Sequence, residues 1–454
     1  MSINSSSASD PNIRTTATLL QGGMYSLPVI STTILMTPMW TALPGVYAKN
    51  FGLALSSIAW VMLIARLFDA VSDPIIGYLS DFYYDRKGSR KPFFIIGGVT
   101  VVASGYFLFL PPDNVSTTYF LICTMLFYFS FTLFEIPHMT YGGEISSVSN
   151  DKTMIYSLRN MAAYFGLVIF YAIPQLPLFD TTEITPDTLR WAVIISAFMM
   201  LPSLYMCTNA IPNDVAVIAN RAMQNNVKKH LVSALYSIIS NRPFLIFVSG
   251  YIFFGLGVGM WYGLIFIYVD SYLQMGAEFS KIFMISFAIS IFLIPVVYKF
   301  SIWIGKKRLW LTATITLILA CLCTGLLQPS KTGFLELLVL KILTDFSYAC
   351  LNIITPSILS DIVDDSTWQD GEGRSATYFS VYVFMGKAAA ALGGALGLAI
   401  AGLYGFDPSL SENTEEAVFG LKISIIWIPS IILLCSLIFI VLMPNAKEKS
   451  SKNS

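Results

Sequence analysis

The stretch Ile64-Ala-Arg-Leu-Phe-Asp-Ala-Val-Ser-Asp-Pro-Ile-Ile-Gly77 places two carboxylates inside an apolar segment that is typical of a membrane-spanning helix. Asp69 and Asp73 are four residues apart, so they lie on one face of that helix. Each carboxylate at bilayer depth costs about 2.5–3.5 kcal/mol on insertion scales. The pair therefore indicates that something cationic meets these side chains, and it is the best clue to function in the sequence.

Pro74 directly follows the second carboxylate. A proline cannot donate an amide hydrogen, and its ring crowds the carbonyl of Ala70, so a backbone oxygen is left near the two acids. Hard oxygen ligands on a bent helix suit a small monovalent cation or a shared proton. The alternative interpretation is structural: Asp69 would pair with Arg66 or another buried base and hold the helices together.

The composition is that of a chain surrounded by lipid. Of its 454 residues, 55% are hydrophobic and 12% are charged, whereas a soluble domain averages about 25% charged residues. The formal net charge is zero, so nothing indicates a nucleic-acid partner. We therefore predict an all-α membrane protein.

Apolar runs long enough to span a bilayer recur along the chain, and about twelve can be counted. The first six lie near residues 25–46, 56–78, 93–110, 117–141, 154–173 and 189–208. The second six lie near residues 244–272, 281–300, 309–327, 334–362, 377–404 and 418–442. They predict a disordered cytoplasmic tail at 1–14, six-helix bundles at 15–211 and 244–443, a cytoplasmic linker at 212–243 and a cytoplasmic tail at 444–454.

Lysine and arginine are concentrated in alternate loops, whereas the opposite loops lean acidic. The positive-inside rule then places both termini in the cytoplasm. Basic clusters occur at matching places in the two halves, at residues 85–91 and 305–308. They indicate either two related halves with a substrate site between them or only ordinary cytoplasmic loops.

Segment four contributes a third intramembrane acid, Glu135, with Pro137 two residues later. Thr132 and His138 each lie about one helical turn from Glu135. Thr132 could lend a hydroxyl ligand to a cation. His138 could sense or relay a proton, although a lone membrane histidine more often only hydrogen-bonds a neighbour.

Two buried bases can balance these acids. Arg159 lies in segment five, and Lys387 lies in segment eleven among small residues that let helices approach closely. Three acids and two bases leave one negative charge, which one bound monovalent cation would neutralise. Arg159 lies near a cytoplasmic end, so the alternative is that its side chain extends to the lipid headgroups.

Weaker candidates are aromatic or acidic. Five aromatic residues could stack on a sugar ring or bind its hydroxyls, and they could equally anchor interfaces or fill the bundles: Tyr25, Trp261, Tyr262, Tyr378 and Tyr382. An acidic cluster after segment ten predicts either a gate against basic loops or solvated charge: Asp361, Asp364, Asp365, Asp370 and Glu372. No nucleotide-binding, nucleophile or zinc motif is found, so we predict no enzyme and no cofactor.

The segment Ala65-Arg-Leu-Phe-Asp-Ala-Val-Ser-Asp-Pro-Ile-Ile-Gly-Tyr-Leu-Ser-Asp81, with the basic loop through Lys91, closely resembles the glycoside–pentoside–hexuronide:cation symporters of the major facilitator superfamily. The resemblance continues through Glu135-Ile-Pro137, Arg159, Asp361-Ile-Val-Asp364 and Lys387. It covers nearly the whole membrane region. It implies a 12-helix major facilitator fold made of two six-helix bundles.

The resemblance also implies roles for single residues. Asp69 and Asp73 match the cation-binding pair of the family, Thr132 matches its hydroxyl neighbour, and Glu135 matches an acid that serves both cation and sugar. Arg159 matches a base that contacts sugar, and Lys387 matches a lysine near the cation site. If the cation is sodium, Asp69, Asp73 and Glu135 would be its carboxylate ligands.

The chain departs from the family pattern at positions that face the cargo. The family acid on helix I has no counterpart in Gly22-Gly-Met-Tyr-Ser-Leu-Pro28. The helix IV aromatic residue that stacks on sugar corresponds to Met139. Tyr25, Met139 and Tyr382 therefore join Glu135 and Arg159 as substrate-binding candidates, with Lys387 and His138 as coupling candidates.

These observations predict a cation-coupled symporter that moves a sugar or glycoside by alternating access, driven by sodium or protons. The alternatives are a lipid-like or other organic cargo, since animal relatives carry lysophospholipid, or a channel or polytopic membrane enzyme. The expected partners are a small-molecule substrate and membrane lipid. We expect an integral multi-pass protein of the bacterial inner membrane; the oligomeric state stays open, and a monomer is compatible with the sequence.

Overall fold

The structure is a computed structural model that describes residues 16–41, 43–53, 55–112, 114–146, 148–178, 184–210, 238, 240–329, 331–370, 375–406 and 413–444. The predicted tail at 1–14, most of the predicted linker at 212–243 and nearly all of the predicted tail at 444–454 lie outside the described residues.

Apolar sequence forms helix throughout, and the described residues contain no strand. The α-helices are α1 (Leu19–Thr41), α2 (Leu43–Phe51), α3 (Leu55–Lys87), α4 (Lys91–Phe109), α5 (Thr117–Glu144), α6 (Ser149–Ala172), α7 (Pro186–Ala210), α8 (Arg242–Ile267), α9 (Gly276–Ile304), α10 (Lys306–Thr324), α11 (Phe334–Asp370), α12 (Ser375–Leu403), α13 (Glu415–Lys422) and α14 (Ile428–Leu442). A 3-10 turn (Ile173–Gln175) follows α6, and π-helical segments follow α8 (Tyr268–Tyr272) and join α13 to α14 (Ile423–Trp427). The all-α prediction is confirmed.

Ten helical segments in the described part of the chain are long and apolar enough to cross a membrane. The helices α3 and α6 are not among these ten, although they contain 33 and 24 residues. They are the helices that carry Asp69, Asp73 and Arg159. With them, the described residues form the twelve long helical segments that the sequence predicts.

Several helices are longer than the apolar runs that predict them. The second run ends near Tyr78, but α3 continues to Lys87. The tenth run ends near Ile362, but α11 continues to Asp370. Hydropathy detects only the part of a helix that is apolar, whereas backbone hydrogen bonding continues through polar turns outside that part.

The contacts divide the chain into two compact units. Unit 1 comprises Met1–Leu235 and Thr367–Val381, and unit 2 comprises Tyr236–Ser366 and Tyr382–Ser454. In unit 1, α1 packs on α6 and α7, α4 packs on α5 and α7, and α3 packs on α5. In unit 2, α14 packs on α8 and α10.

Glycines permit the closest helix contacts inside each unit. A β-carbon on Gly97 of α4 would collide with the backbone of Phe134 on α5. A β-carbon on Gly259 of α8 would collide with the carbonyl oxygen of Ala390 on α12. The close packing of α4 against α5 holds α5 in position. On α5, Thr132 contacts Asp69 and Asp73 of α3.

Candidate functional site

Asp69, Asp73 and Thr132 form a buried polar cluster between α3 and α5. Thr132 Oγ1 lies 2.9 Å from Asp69 Oδ1 and 2.8 Å from Asp73 Oδ1. The exposed fraction of each of the three residues is 2% or less. A hydroxyl group carries one proton, so Thr132 can donate to only one of the two carboxylates at a time. The cluster thus combines two acids with one shared donor, which suits a bound cation or an added proton.

The local sequence explains why these groups meet. The spacing of Asp69 and Asp73 is one helical turn, so both carboxylates leave α3 on the same side. The packing of α3 on α5 brings Thr132 against that side. Pro74 lies inside α3, one residue beyond the pair, and it removes the amide that would bond the carbonyl of Ala70.

Arg66 approaches the same cluster from the preceding turn of α3. Its Nη1 lies 3.9 Å from Asp69 Oδ2, and its guanidinium carbon lies 4.8 Å from the centre of the Tyr128 ring. The arginine side chain is about one third exposed. The structural pairing considered from the sequence therefore exists, but it is a long contact beside the shorter ones to Thr132.

Glu135 and Arg159 form a separate ion pair between α5 and α6. Arg159 Nη2 donates to Glu135 Oε1 over 2.6 Å. The two side chains retain 14% and 13% exposure, and the buried Nε of Arg159 has no hydrogen-bond partner. An unfilled guanidinium donor next to a partly accessible carboxylate can bind a polar ligand group.

The predicted ligand set of Asp69, Asp73 and Glu135 is divided between these two places. Asp69 and Asp73 face Thr132, whereas Glu135 faces Arg159. Among the residues that the structure describes, no three His, Cys, Asp or Glu side chains converge to hold a metal ion. The oxygen donors that do converge are two carboxylates and one hydroxyl.

His138 and Tyr25 join α5 to α1. Tyr25 Oη donates to the carbonyl of His138 over 2.8 Å, and His138 Nε2 lies 2.9 Å from the carbonyl of Tyr25. Their rings stack with centroids 4.2 Å apart, and Phe134 covers the other face of the histidine at 4.7 Å. Both residues are fully buried, and His138 Nδ1 has no partner.

The other substrate-binding and aromatic candidates contact neighbouring residues or are buried. The carbonyl of Met139 accepts a hydrogen bond from Tyr156 over 3.1 Å in unit 1. In unit 2, the hydroxyl of Tyr382 lies 2.7 Å from Thr355 Oγ1, and its ring stacks on Tyr251 with centroids 4.4 Å apart. Trp261 donates its indole hydrogen to Thr324, and Tyr378 is buried at the start of α12.

Lys387 and the acidic residues near the end of α11 lie on different helices. Lys387 is half-buried on α12, in unit 2. Asp361 accepts a hydrogen bond from Lys306 over 2.6 Å, so one member of the acidic cluster does meet a basic segment. Asp364 and Asp365 are exposed; the side chain of Asp370 and the whole of Glu372 lie outside the described part.

A buried network at the end of α3 is a feature that motif reasoning did not anticipate. Arg90 is 1% exposed and donates to Asp81 over 2.6 Å and to both carboxylate oxygens of Glu144 over 3.0 Å. Asp81 also accepts the backbone amides of Ala376 and Thr377 over 2.9 and 2.7 Å. Asp81 therefore caps the first turn of α12, and the residues of that turn belong to unit 1.

The charge of Arg90 is permanent. Burial alone would lower the pKa of the guanidinium, but the carboxylates of Glu144 and Asp81 raise this pKa above its ordinary value. The network therefore keeps its cation across the physiological pH range. The regular family motif and the basic loop were visible in the sequence, but their convergence on the start of α12 was not.

A second overlooked feature is a buried ion pair in unit 2. Lys341 and Asp345 lie one turn apart on α11 and form a salt bridge, and they are 3% and 0% exposed. Tyr262 of α8 donates to Asp345 Oδ1 over 3.1 Å. The signal was present in the sequence as a Lys and an Asp four residues apart in an apolar run, but it lies outside the motifs of the resembled family.

In the described part of the chain, twelve long helical segments bury acids and bases between helices, which is the arrangement of a polytopic membrane transporter. The sequence model of the family described as MFS/sugar transport protein matches residues 24–446, and the chain belongs to that family. The predicted major facilitator fold and the prediction that the chain is not an enzyme are confirmed.

Curated relatives cover most of the chain. It is 26% identical over 406 residues to the uncharacterized symporter YjmB of Bacillus subtilis (strain 168), an alignment that covers 86% of this chain and 84% of that protein. It is 19% identical over 428 residues to the sodium-dependent lysophosphatidylcholine symporter 1 of Mus musculus, covering 87% and 79%. It is 21% identical over 409 residues to the lactose permease of Lactobacillus helveticus, covering 86% and 63%.

A solved structure shows the same fold. The crystal structure of the E. coli fucose:proton symporter FucP matches with a TM-score of 0.59 over 94% of this chain and 98% of that one, at 14% identity. At this identity the likeness concerns the fold alone.

Proposed function

We propose that the protein is a cation-coupled symporter that moves a sugar or glycoside by alternating access. The observation that carries this proposal is the buried cluster in which Asp69 and Asp73 share the hydroxyl of Thr132. Two buried carboxylates that meet at one hydroxyl repel each other, so the site favours added positive charge. A sodium ion or a proton supplies that charge, so this cluster is the coupling-cation site.

The cargo contacts are assigned to the neighbouring pair and its surroundings. Glu135 and Arg159 keep some exposure, and the unpartnered Nε of Arg159 leaves a donor for a cargo oxygen. Tyr25, Met139 and Tyr382 complete the proposed substrate-binding set. This proposal retains Lys387 and His138 as coupling residues, with His138 acting through its stack on Tyr25.

Coupling follows from differential affinity. A cation at Asp69 and Asp73 of α3 removes buried negative charge. This changes the electrostatic field at Glu135 on α5 and at Arg159 on α6. Cation and cargo then stabilise the same conformation, and each raises the affinity of the protein for the other. We propose that the cation binds first and that both termini lie in the cytoplasm, with the protein in a bacterial inner membrane.

A lipid-like cargo is the second candidate. Several relatives that match more than four fifths of this chain are sodium-dependent lysophosphatidylcholine symporters. The chain also lacks the helix I acid of the sugar-transporting pattern and has Met139 at an aromatic position. The same cation site would serve this cargo, so only a transport measurement separates the two candidates.

The test is uptake by proteoliposomes under an imposed sodium or proton gradient, with methyl glycosides, methyl glucuronides and lysophosphatidylcholine as cargo. We expect the wild type to accumulate one sugar class against its gradient. We expect Asp69→Asn and Asp73→Asn to lose accumulation, because each removes a charge that the cation requires. Asp85→Asn is the matched control, since Asp85 is exposed on the same helix, and it should behave as the wild type.

Three outcomes would count against the proposal. Full gradient-driven accumulation by either Asn variant would contradict the cation site. Accumulation of lysophosphatidylcholine alone would replace the sugar cargo by the lipid cargo. Flux that neither saturates with cargo nor depends on a gradient would indicate a channel.

A further inference from the structure

The ion pair of Lys341 and Asp345 is held rigidly inside unit 2. The Nζ of Lys341 donates to Asp345 Oδ1. The same Nζ lies 4.4 Å from the ring centre of Phe283, 4.6 Å from that of Phe287 and 5.3 Å from that of Tyr262. Three aromatic faces and one carboxylate surround the ammonium group, so its charge is neutralised and its position is fixed.

Asp345 is only half satisfied. Its Oδ1 accepts from Lys341 and from the hydroxyl of Tyr262, whereas its buried Oδ2 has no hydrogen-bond partner. A buried carboxylate oxygen without a donor is destabilising, and buried polar atoms in folded proteins are nearly always bonded. Oδ2 can therefore accept a hydrogen bond from a further donor.

Asp345 belongs to a row of polar residues along one face of α11. Asp345, Tyr348 and Asn352 are spaced by three and four residues, so they follow one side of the helix. Polar residues within a spanning helix face the bundle interior or a water-filled cavity. Tyr348 and Asn352 are only partly buried, and so is Tyr262, whose ring centre lies 5.8 Å from that of Tyr348.

We propose that Asp345 is a cargo-binding residue, and that its Oδ2 accepts the hydrogen of a carbohydrate hydroxyl group. The cargo feature recognised here is an uncharged hydroxyl and not a carboxylate or phosphate, because Lys341 is already neutralised and the free oxygen of Asp345 repels anions. Tyr262 and Tyr348 offer the aromatic faces beside it. This inference rests on the proposed function.

Lys341 is a positioning residue in this proposal, because it fixes the carboxylate without contacting the cargo. A purely structural ion pair makes a different prediction. If the pair only neutralises itself, then removing both charges together should leave transport intact, since replacing a buried pair by uncharged groups is often neutral for stability. Removing both charges is therefore the discriminating change.

The test compares the wild type with the double variant Lys341→Met/Asp345→Leu, which removes both charges and the acceptor oxygens, in the proteoliposome assay. The cargo probes are methyl glucosides, methyl galactosides and their monodeoxy analogues. We expect the double variant to fold, to keep cation-dependent thermal stabilisation, and to show a KM for cargo raised about 10- to 100-fold, the loss of one hydrogen bond to a charged group. One deoxy analogue should bind the wild type more weakly than its parent glycoside does. In the double variant, the parent glycoside and this deoxy analogue should have equal KM values.

The assignment of Asp345 would be overturned by an unchanged KM in the folded double variant. It would also be overturned if the deoxy change raised KM by the same factor in the wild type and in the variant. Either result leaves the symporter proposal intact. Failure of the wild type to take up any methyl glycoside would overturn both. If the double variant does not fold, Tyr262→Phe takes its place, because it removes only the neutral bond to Asp345 Oδ1. It should strengthen the same deoxy discrimination, because a carboxylate that accepts fewer hydrogen bonds at Oδ1 is a stronger acceptor at Oδ2, and unchanged discrimination there would also overturn the inference.

Discussion

Thr132 is the side chain that joins Asp69 and Asp73 in the proposed coupling-cation site. Its hydroxyl is fully buried and touches both Asp69 and Asp73. The oxygen has lone pairs as well as one proton, so it can turn from donating to a carboxylate to accepting contact from a cation. This reversibility is what a site that fills and empties in each transport cycle requires.

Thr132→Ala tests this role directly. Removing one hydrogen bond to a charged group loses about 1.5–3 kcal/mol, so we expect the cation concentration for half-maximal uptake to rise by about tenfold or more. Thr132→Ser keeps the hydroxyl and should stay close to the wild type. The measurement is cargo uptake as a function of sodium concentration or pH, and equal half-saturation values for the Ala and Ser variants would contradict the role.

The sequence predicted the members of the candidate site better than their pairing. Asp69, Asp73 and Thr132 could be found from helical spacing and family resemblance, because i to i+4 geometry is local. The salt bridge of Glu135 with Arg159 depends on the packing of α5 and α6, and no local pattern encodes that contact. Lys341 and Asp345 lie outside the motifs that carry the family resemblance, so the sequence did not single them out.

Glycine residues allow close contacts between the helices of unit 2. Gly259 of α8 touches the carbonyl of Ala390 on α12 so closely that no β-carbon fits between them. The same face of α12 continues through Gly393 and Gly394, which lie against α8 near Leu256 and Gly263. Lys387 lies just before this face on α12. The position of Lys387 within unit 2 therefore depends on the contact between α8 and α12.

Gly259→Ala should therefore destabilise the protein although alanine is the better helix former. Forcing a methyl group into a closed contact typically costs about 1–3 kcal/mol, which exceeds the gain in helix propensity of roughly 1 kcal/mol. The matched control is Gly402→Ala on α12, where a β-carbon meets nothing within 4 Å. Unfolding midpoints in detergent would check this, and equal midpoints for the two variants would contradict it.

Helix identity was predictable, whereas helix ends were not. The apolar runs located every long segment, because burial in lipid needs about twenty apolar residues. The extension of α3 to Lys87 follows from contacts that involve Asp81 and Arg90, which are polar and carry no hydropathy signal. Ends fixed by buried polar networks are invisible to a pattern that counts only apolar residues.

For the whole molecule, symport means that two binding equilibria are linked. The free energy by which the cation strengthens cargo binding must equal the free energy by which cargo strengthens cation binding. Typical couplings of about 1–3 kcal/mol correspond to affinity changes of roughly 5- to 150-fold. In the proposed mechanism, Asp69 and Asp73 form the cation site, and Glu135 and Arg159 belong to the cargo site.

We expect calorimetric titrations to show this reciprocity. The ratio of cargo dissociation constants without and with the coupling cation should equal the ratio of cation dissociation constants without and with cargo. Asp73→Asn should bring both ratios to about one, because it removes the cation site while leaving Glu135 and Arg159 in place. A cargo affinity that is independent of every cation, in a protein that binds both, would contradict coupled transport.

The distance along the chain between Asp69 and Thr132 has a consequence for synthesis of the protein. They are 63 residues apart, which is about 3–13 s of translation at roughly 5–20 residues per second. We expect α3 to enter the membrane during that interval, when its two acids do not yet have Thr132 as a partner. The free energy of the inserted segment is then higher than in the finished protein. Arg159 follows Glu135 by only 24 residues, so the second pair is completed soon after its acid emerges. We therefore expect a ribosome that stalls between α3 and α5 to leave Asp69 and Asp73 without Thr132 before the protein has begun to transport.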